Sequence, residues 1–419
     1  MTAGFDAGGG CIQLSACRVC GSTGLESVVS LGVTPLANSF VDPARAGEPE
    51  RRFPLEAVRC TACSLVQLSV VVDPALMFTD YLYSSSASLP SHAHFDQLAE
   101  QLVSRFDLRG ARVVEAGSND GILLKPLRDR GVLALGVEPA ANIAAVANRS
   151  GLETRVGFFG GAFARGLVAE IGPVKAVLAN NVLAHIHDLH DVFGALDTLL
   201  ARDGIFVAEV PYLGDLIDRV EYDTMYHEHL SYFALNPLEV LARSAGMEVF
   251  DAERIPFHGG SIRVFFGRAG VRPQTARLDE LRRAEDRGGL LGRDVYREFA
   301  GRVVASREAL RALLGRLRDA GGRLAGLGAS AKGNTLLNYC GIGRETLEFI
   351  GDSTPYKQGL LTPGTHIPVR DDQALIRERP DYALLLAWNY ADDMVRRYSA
   401  YTAAGGRFIH PIPMARILE

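Results

Sequence analysis

Blocks of hydrophobic and polar residues change in spacing along this chain, and the changes predict regions of different structure. From Ala16 to about Val72 the apolar runs are short and are broken by Gly and Pro, which indicates a small, irregular first module. From Ala111 onward, apolar runs such as ARVVEAG, VKAVLANNV and GIFVAEVPY alternate with helical stretches, which predicts βαβ units and a parallel sheet. MEVFDAERIPF and SIRVFFGR are separated only by HGG, and so short a connection predicts an antiparallel hairpin.

The last third of the chain begins with a charged stretch. Residues 275–320 carry regularly spaced apolar positions among many charges, which predicts a long amphipathic helix or a helix pair. Beyond it, LEFIGDSTP, DYALLLAWN and RFIHPIP each combine a strand-like run with Gly or polar residues, which indicates a second, smaller α/β lobe. We therefore expect a first module over residues 1–75, a central α/β domain over 76–270 and a C-terminal α/β domain over 271–419.

Composition limits the function classes. The chain has 419 residues, a length that favours two or three domains, and its 47% hydrophobic and 22% charged residues are ordinary for a folded protein. A formal net charge of −5 argues against nucleic acid or an anionic membrane as a partner. No apolar run approaches the roughly 18 residues of a spanning helix, and the first residues lack the features of a signal peptide. We expect a cytoplasmic protein.

Four of the six cysteines form two CxxC pairs, Cys17 with Cys20 and Cys60 with Cys63. Two such pairs can present four thiolates to one tetrahedral ion, so they predict a structural zinc site. The alternatives are a redox CxxC or unpaired core cysteines, but thioredoxin-type chemistry needs one pair at a helix start rather than two pairs in loops. Because four protein ligands leave no open position, we expect the metal to have no catalytic role.

The segment VVEAGSNDG runs from a predicted strand into a helix, and Gly117 allows a tight turn close to a ligand. Its spacing is not GxGxxG, and the acidic Glu115 and Asp120 favour a cationic amino-acid ligand over a pyrophosphate. Glu138 ends the next strand, where a carboxylate would accept both ribose hydroxyls of a nucleoside. In a sheet closed by an antiparallel hairpin, this is the layout of class I methyltransferases, which use S-adenosylmethionine. The alternative is an ordinary Rossmann turn with Glu138 as a solvated strand end.

Further candidates stand where the third and fourth predicted strands end, because open α/β sheets bind ligands at that edge. Phe158 and Phe159 follow one of these strands and could equally be core residues; Asn180 and Asn181 follow the other. The predicted cofactor-binding residues are Glu115, Gly117, Asn119, Asp120, Glu138, Phe159 and Asn180.

Ionisable side chains gather in ANNVLAHIHD and EYDTMYHEHLSYF, which follow the fourth and fifth predicted strands. They are His185, Tyr226, His227, Glu228 and His229. A carbon that is to be methylated must first lose a proton, and His is the side chain best matched to that task near neutral pH. A Tyr hydroxyl or a second imidazole can stabilise the enolate that forms. The alternative is a metal site or a set of structural histidines.

In the order of its motifs the chain resembles the bacterial nucleotide-linked deoxysugar C-methyltransferases, typified by the C-3 methyltransferases that act on dTDP-4-keto-deoxysugars. Besides the paired CxxC, the matching motifs are ExGSNDG, NxLAHIxD, YHEHLSYF, HGGSIRV, GASAKGNTLLNYCGI, PYKQGLxTPGTHIPV and AWNY. They extend over almost the whole chain. The resemblance implies an α/β fold with a zinc-binding module, a class I methyltransferase domain with a Rossmann-like core, and a C-terminal Rossmann-like lobe that helps to hold the nucleotide sugar.

The resemblance also implies roles for single residues. His229 would be the base that removes the proton α to the ketone. The residues around the sugar would be Tyr226, Glu228, His185 and Tyr81. Tyr83 could take the place of Tyr81. The family has a member with Asp where this chain has His227, so the identity of the sugar stays open.

In the C-terminal lobe, Ser330, Lys332 and Asn334 follow a predicted strand, where backbone amides and a Lys could meet a pyrophosphate. The alternative for Lys332 is a solvated loop charge. His258 in the HGG turn and Tyr356 in the PYKQG stretch are further candidate substrate contacts.

We therefore expect a monomeric C-methyltransferase that uses S-adenosylmethionine and zinc and acts on the carbon α to the ketone of a nucleotide-linked 4-keto-deoxysugar. One rival is methyl transfer to a different small molecule. The other is a non-catalytic zinc-ribbon binding protein for nucleic acid, which predicts a basic surface that the net charge of −5 opposes.

Overall fold

A computed structural model describes residues 10–78, 86, 89–257 and 259–418 of the chain. Within these residues the strands form sheets of two, four, seven and six strands. No helix in the described part of the chain is both long enough and apolar enough to cross a bilayer.

The first region is built on antiparallel strands, which its short apolar runs did not reveal. Its strands are β1 (Cys11–Gln13), β2 (Leu25–Pro35), β3 (Arg52–Cys60), β4 (Val66–Leu68) and β5 (Val70–Val72), followed by the short helix α1 (Ala75–Phe78). β2 pairs with β3 through two register shifts. These shifts interrupt the in-and-out alternation by which a strand is recognised in a sequence.

The sheet of this region is completed from a distant part of the chain. β11 (Ser231–Tyr232) pairs antiparallel with β4 and gives the strand order β11-β4-β3-β2. β11 begins two residues after His229, so the first region and the predicted reaction centre share a sheet.

The central sheet confirms the predicted parallel sheet and its closing hairpin. Its strands are β6 (Arg112–Ala116), β7 (Leu133–Glu138), β8 (Thr154–Val156), β9 (Val174–Asn180), β10 (Leu200–Pro211), β12 (Met247–Ile255) and β13 (Ser261–Arg268). Numbered in chain order within the sheet, they lie 3-2-1-4-5-7-6. β12 and β13 pair antiparallel, and β13 is antiparallel to β10. This is the Rossmann-like sheet of class I methyltransferases.

Helices cover the central sheet. They are α2 (Leu89–Phe106), α3 (Leu124–Asp129), α4 (Ala141–Arg149), α5 (Gly161–Ile171), α6 (Leu189–Leu199), α7 (Leu213–Arg219) and α8 (Leu235–Ser244). The Asp188 side chain caps α6 by accepting from the Asp191 amide. The apolar positions of β9 are buried because helices pack on the sheet, which explains the unbroken run VLA in its sequence.

The last region contains the predicted helix pair and a second α/β sheet. Its helices are α9 (Ala276–Arg287), α10 (Asp294–Asp319), α11 (Ala331–Cys340), α12 (Ala374–Glu378), α13 (Ala391–Arg397) and α14 (Ser399–Ala403). Its strands are β14 (Leu324–Leu327), β15 (Ile350–Asp352), β16 (Val369–Asp371), β17 (Tyr382–Leu385), β18 (Arg407–His410) and β19 (Arg416–Ile417). The order is 3-2-1-4-5-6, and the first five strands are parallel.

Candidate active site and zinc site

The four predicted zinc ligands lie together at the end of β3 and in the loop before β2. The Sγ atoms of Cys17 and Cys63 are 3.5 Å apart, as are those of Cys20 and Cys60. All four sulfurs lie within 4.8 Å of one another. Four Zn–S bonds of about 2.3 Å in a tetrahedron place the sulfurs roughly 3.8 Å apart, so the cluster fits a Cys₄ zinc site.

The turn after β6 is tight and has no room for a side chain at Gly117. Gly117 has φ +64°, and a Cβ atom there would lie 2.4 Å from a methyl group of Val182. Glu138 at the end of β7 holds the same turn, since its two carboxylate oxygens accept from the amides of Asn119 and Ala140, each at 2.9 Å. Its carboxylate thus fixes the loop at the carboxyl edge of the sheet.

At the carboxyl ends of two neighbouring strands lie two buried oxygens that have no hydrogen-bond partner among the described residues. They are Oε2 of Glu115 and Oδ1 of Asn180, at the ends of β6 and β9. Asn180 donates to the other oxygen of Glu115 at 3.3 Å. Burial raises the pKa of Glu115 well above its usual value. A cationic group between them would satisfy both oxygens and stabilise the carboxylate, as the sequence predicts for the amino-acid part of S-adenosylmethionine.

Asp120 and Phe159, which were also predicted to bind the cofactor, have different surroundings. Asp120 accepts from the amide and hydroxyl of Ser86 at 3.1 and 2.5 Å. Phe159 is half-buried against the core, whereas 69% of Phe158 is exposed. Only Phe158 therefore presents most of its ring to solvent.

His229 is held in one tautomer by two hydrogen bonds. Its Nδ1 lies 2.9 Å from the carbonyl oxygen of Thr224, which can only accept, so Nδ1 carries the proton. When the ring is neutral, Nε2 is the acceptor, and the Tyr226 hydroxyl donates to it at 2.8 Å. In that form the imidazole presents a basic lone pair beside a phenol. Neither the spacing of the motif nor any other signal in the sequence identified Thr224.

His185 brings a second imidazole to the first. The ring centroids of His185 and His229 are 4.9 Å apart and the rings meet edge to face. Burial lowers the pKa of His185 to about 4, so this ring is neutral at pH 7. Two imidazoles from different loops thus form one cluster, and the sequence predicted that these loops would meet.

Glu228 is 6% exposed, and its Oε1 accepts from the side-chain amide of Asn38 at 2.6 Å. Burial raises the pKa of Glu228 to about 7, while the Asn38 hydrogen bond opposes the shift. Asn38 belongs to the first region and was missed by the sequence analysis, because nothing in LANSF marks it as a partner of a residue in the central domain.

His227 lies apart from the cluster to which the sequence analysis assigned it. Its Nε2 donates to the carbonyl oxygen of Pro54 at 3.2 Å, and its ring meets the edge of Phe53. Burial lowers its pKa to about 4. Since both contacts are in β3, His227 joins the central domain to the first region.

The predicted substrate residues of the C-terminal lobe cluster around the start of α11. The Ser330 hydroxyl caps α11 by accepting from the Gly333 amide at 3.0 Å, and the Asn334 side chain donates to the carbonyl oxygen of Ala37 at 2.7 Å. Lys332 Nζ lies 3.6 Å from a carboxylate oxygen of Glu221. The Lys332 charge therefore already faces a carboxylate.

Of the remaining predicted residues, Tyr356 is 42% exposed. Tyr81, its neighbour Tyr83 and His258 lie outside the residues that the structure describes.

Replacing Cys60 by Ser tests the zinc site. We expect loss of bound zinc and a fall in melting temperature of about 5–10 °C, because binding of the ion is coupled to folding of the first region. Metal analysis and thermal unfolding measure the two effects. Cys11→Ser is the control, since Cys11 lies outside the cluster. A Cys60→Ser protein with one equivalent of zinc and the wild-type melting temperature would contradict the assignment.

The Glu228 carboxyl group should titrate near pH 7, and Asn38→Leu should move its pKa higher. The pKa should rise because the hydrogen bond that is lost in Asn38→Leu favours the charged form of Glu228. Infrared titration of the carboxyl band, assigned by its absence in Glu228→Gln, measures both values. A wild-type pKa near 4.5, or a lower pKa in Asn38→Leu, would show that burial and Asn38 do not set this ionisation.

Comparison with family models finds three matches along the chain. Family models match residues 17–78 as a zinc binding domain, 92–252 as a methyltransferase domain and 256–413 as a C-methyltransferase C-terminal domain.

A curated relative, the C-methyltransferase NovU of Streptomyces niveus, is 39% identical over 411 residues, which is 97% of each chain. Among solved structures, the methyltransferase CcbJ of Streptomyces caelestis is 15% identical with a TM-score of 0.37, over 46% of this chain and 98% of its own. Magnesium protoporphyrin IX methyltransferase of Synechocystis PCC 6803 is 16% identical with a TM-score of 0.34, over 42% of this chain and 83% of its own. The relationship to NovU extends over nearly the full chain, and by it this protein belongs to the C-methyltransferases, enzymes that transfer the methyl group of S-adenosylmethionine.

Proposed function

We propose that this C-methyltransferase methylates the carbon α to the ketone, C-3, of a nucleotide-linked 4-keto-deoxysugar. The observation that carries the proposal is the placement of the His229 imidazole, whose Nδ1 donates to the Thr224 carbonyl oxygen and whose Nε2 lies beside the Tyr226 hydroxyl. A carbon next to a ketone is acidic enough for a positioned imidazole to deprotonate, because the electron pair passes to the ketone oxygen.

The donor is proposed to lie in the turn after β6. The oxygens of Glu115 and Asn180 would accept hydrogen bonds from its amino group. Glu138 would accept hydrogen bonds from its ribose hydroxyls through the lone pairs that the amides of Asn119 and Ala140 do not occupy. When bound, the donor supplies an electrophilic methyl group on a sulfonium. Glu115 then offers a buried carboxylate to this cation, and the attraction offsets the cost of its own burial.

His229 is proposed as the base. Its Nε2 takes the proton from the carbon, and the electrons of that C–H bond form the enolate. The imidazolium that results is stabilised through Nδ1, which keeps its hydrogen bond to the Thr224 carbonyl oxygen. Substrate must replace the Tyr226 hydroxyl as the neighbour of Nε2, which leaves that hydroxyl available to donate to the enolate oxygen.

The groups around His229 would stabilise and orient the sugar. A protonated Glu228 can donate a hydrogen bond to the sugar or the ketone, and its pKa of about 7 makes this form well populated at neutral pH. His185 stays neutral beside the imidazolium, so it adds no competing positive charge. Proton removal and enolate stabilisation are thus assigned to separate side chains, with Tyr81 proposed to complete the set.

The C-terminal lobe is proposed to hold the nucleotide. This lobe carries four of the predicted substrate residues, Ser330, Lys332, Asn334 and Tyr356. It is also the region that matches the C-methyltransferase C-terminal domain. A phosphate at Lys332 would have to share its ammonium with Glu221, which lies 3.6 Å away.

Mass spectrometry with S-adenosylmethionine and a panel of nucleotide-linked keto-deoxysugars tests the substrate. Gain of one methyl group on the carbon beside the ketone supports the proposal. Methylation of a different class of small molecule, with every keto-sugar unchanged, favours the rival acceptor.

Gly117→Ala should weaken donor binding by about tenfold or more, because the new methyl group collides with Val182 and the backbone at φ +64° disfavours a side chain. Calorimetric titration with S-adenosylmethionine measures the dissociation constant. The matched control is Gly131→Ala, where φ is +83° but no atom lies within 4 Å of the added Cβ. Equal effects of the two substitutions would remove the turn from the donor site.

His229→Ala should lower kcat by roughly 10²–10⁴-fold, the usual contribution of a general base, and leave the donor dissociation constant unchanged. Tyr226→Phe should lower kcat less, since it removes one donor to the enolate and keeps the base. Steady-state kinetics and calorimetry together measure these effects. Wild-type turnover in His229→Ala would exclude His229 as the base.

A further inference from the structure

Arg18 lies between two predicted zinc ligands, in the sequence CRVC, and its side chain leaves the first region to contact the loops that carry His185 and His229. One guanidinium nitrogen donates to the carbonyl oxygen of Ile186 at 2.8 Å, and the other donates to that of Leu230 at 2.5 Å. Ile186 directly follows His185, and Leu230 directly follows His229. One side chain therefore binds both histidine loops.

Arg18 makes these contacts through its planar, forked guanidinium group. Besides these two bonds, Arg18 donates to the carbonyl oxygen of His187 at 3.3 Å and to the hydroxyl of Ser231. An arginine guanidinium is positively charged at neutral pH. A charged fork with several donors can connect two loops in a fixed relation, whereas a Lys presents one point charge.

The position of Arg18 depends in turn on the CxxC turn. Its backbone amide donates to the Gln67 side chain at 2.9 Å, and the same side chain donates to the carbonyl oxygen of Ala16 at 3.2 Å. Gln67 lies on β4, the strand that pairs with β11. The zinc turn, the shared sheet and the two histidine loops are thus joined by one short series of hydrogen bonds.

We propose that Arg18 is a positioning residue, through which the zinc turn keeps the loops of His185 and His229 in register for catalysis. This inference rests on the proposed role of His229. It gives the structural metal a defined relation to the reaction without contact between metal and substrate. Displacing a catalytic group by about 1 Å can cost roughly 10²-fold in rate, which sets the size of the effect expected when Arg18 is removed.

The first test compares Arg18→Ala and Arg18→Lys with Arg45→Ala, a control at an exposed arginine of the same region. We expect kcat to fall about 10²-fold in Arg18→Ala and less in Arg18→Lys, with the donor dissociation constant unchanged. Millimolar guanidinium should restore part of the rate to Arg18→Ala and leave the control unchanged. Zinc content and melting temperature are measured in each variant. A rate that falls only in proportion to lost zinc or lost folded protein would overturn the proposal.

A second readout does not depend on turnover. In the wild type, His185 should titrate near pH 4 in nitrogen-15 spectra of the imidazoles, and in Arg18→Lys its pKa should rise toward 6.5 as the loop admits water. An unchanged His185 titration together with wild-type kcat in zinc-loaded Arg18→Lys would overturn the proposal. If the wild type methylates no keto-sugar of the panel, the proposed function fails, and the His185 titration still decides whether Arg18 holds the loop.

Discussion

The segment from Glu221 to Phe233 is held by all three regions of the chain, and this constraint fixes the geometry of the candidate base. The first region contributes the pairing of β4 with β11 and the hydrogen bond from Asn38 to Glu228. The C-terminal region contributes Trp388, whose indole donates to buried Asp223 at 2.6 Å. Because the segment is fixed from both sides, the carbonyl oxygen of Thr224 stays beside Nδ1 of His229 and can hold the imidazole in one tautomer.

This arrangement explains why a zinc-binding region accompanies a methyltransferase domain. The class I sheet would bind the donor at the carboxyl ends of its strands, where open α/β sheets take their ligands. Generation of a carbanion needs more, since a base and hydrogen-bond donors must keep fixed relative positions while charge develops. The first region reaches this centre through the pairing of β4 with β11, through Asn38 and through Arg18, which lies between two of the predicted zinc ligands.

Local sequence patterns predict the parts of this protein whose structure is decided locally. The βαβ alternation, the HGG hairpin and the Cys₄ cluster follow from spacing alone. The strand β11 does not, because two residues carry no pattern and their pairing partner lies far away in the chain. His227 and His229 show the same limit. Their spacing suggests a common face, but the backbone turns between them, and His227 binds β3 while His229 faces Tyr226. The position of Lys332 in a loop after a strand predicts a contact with phosphate. Its proximity to Glu221 depends on tertiary structure, which the loop sequence does not reveal.

The most direct test of the account is hydrogen exchange at the carbon beside the ketone. A nucleotide-linked 4-keto-deoxysugar is incubated in heavy water with the protein and S-adenosylhomocysteine, which fills the donor site without a transferable methyl group. The account predicts that the wild type incorporates deuterium at that carbon and that His229→Ala does not, although it binds the same ligands. Equal incorporation by the two proteins would contradict the central claim that the neutral imidazole of His229 removes the proton.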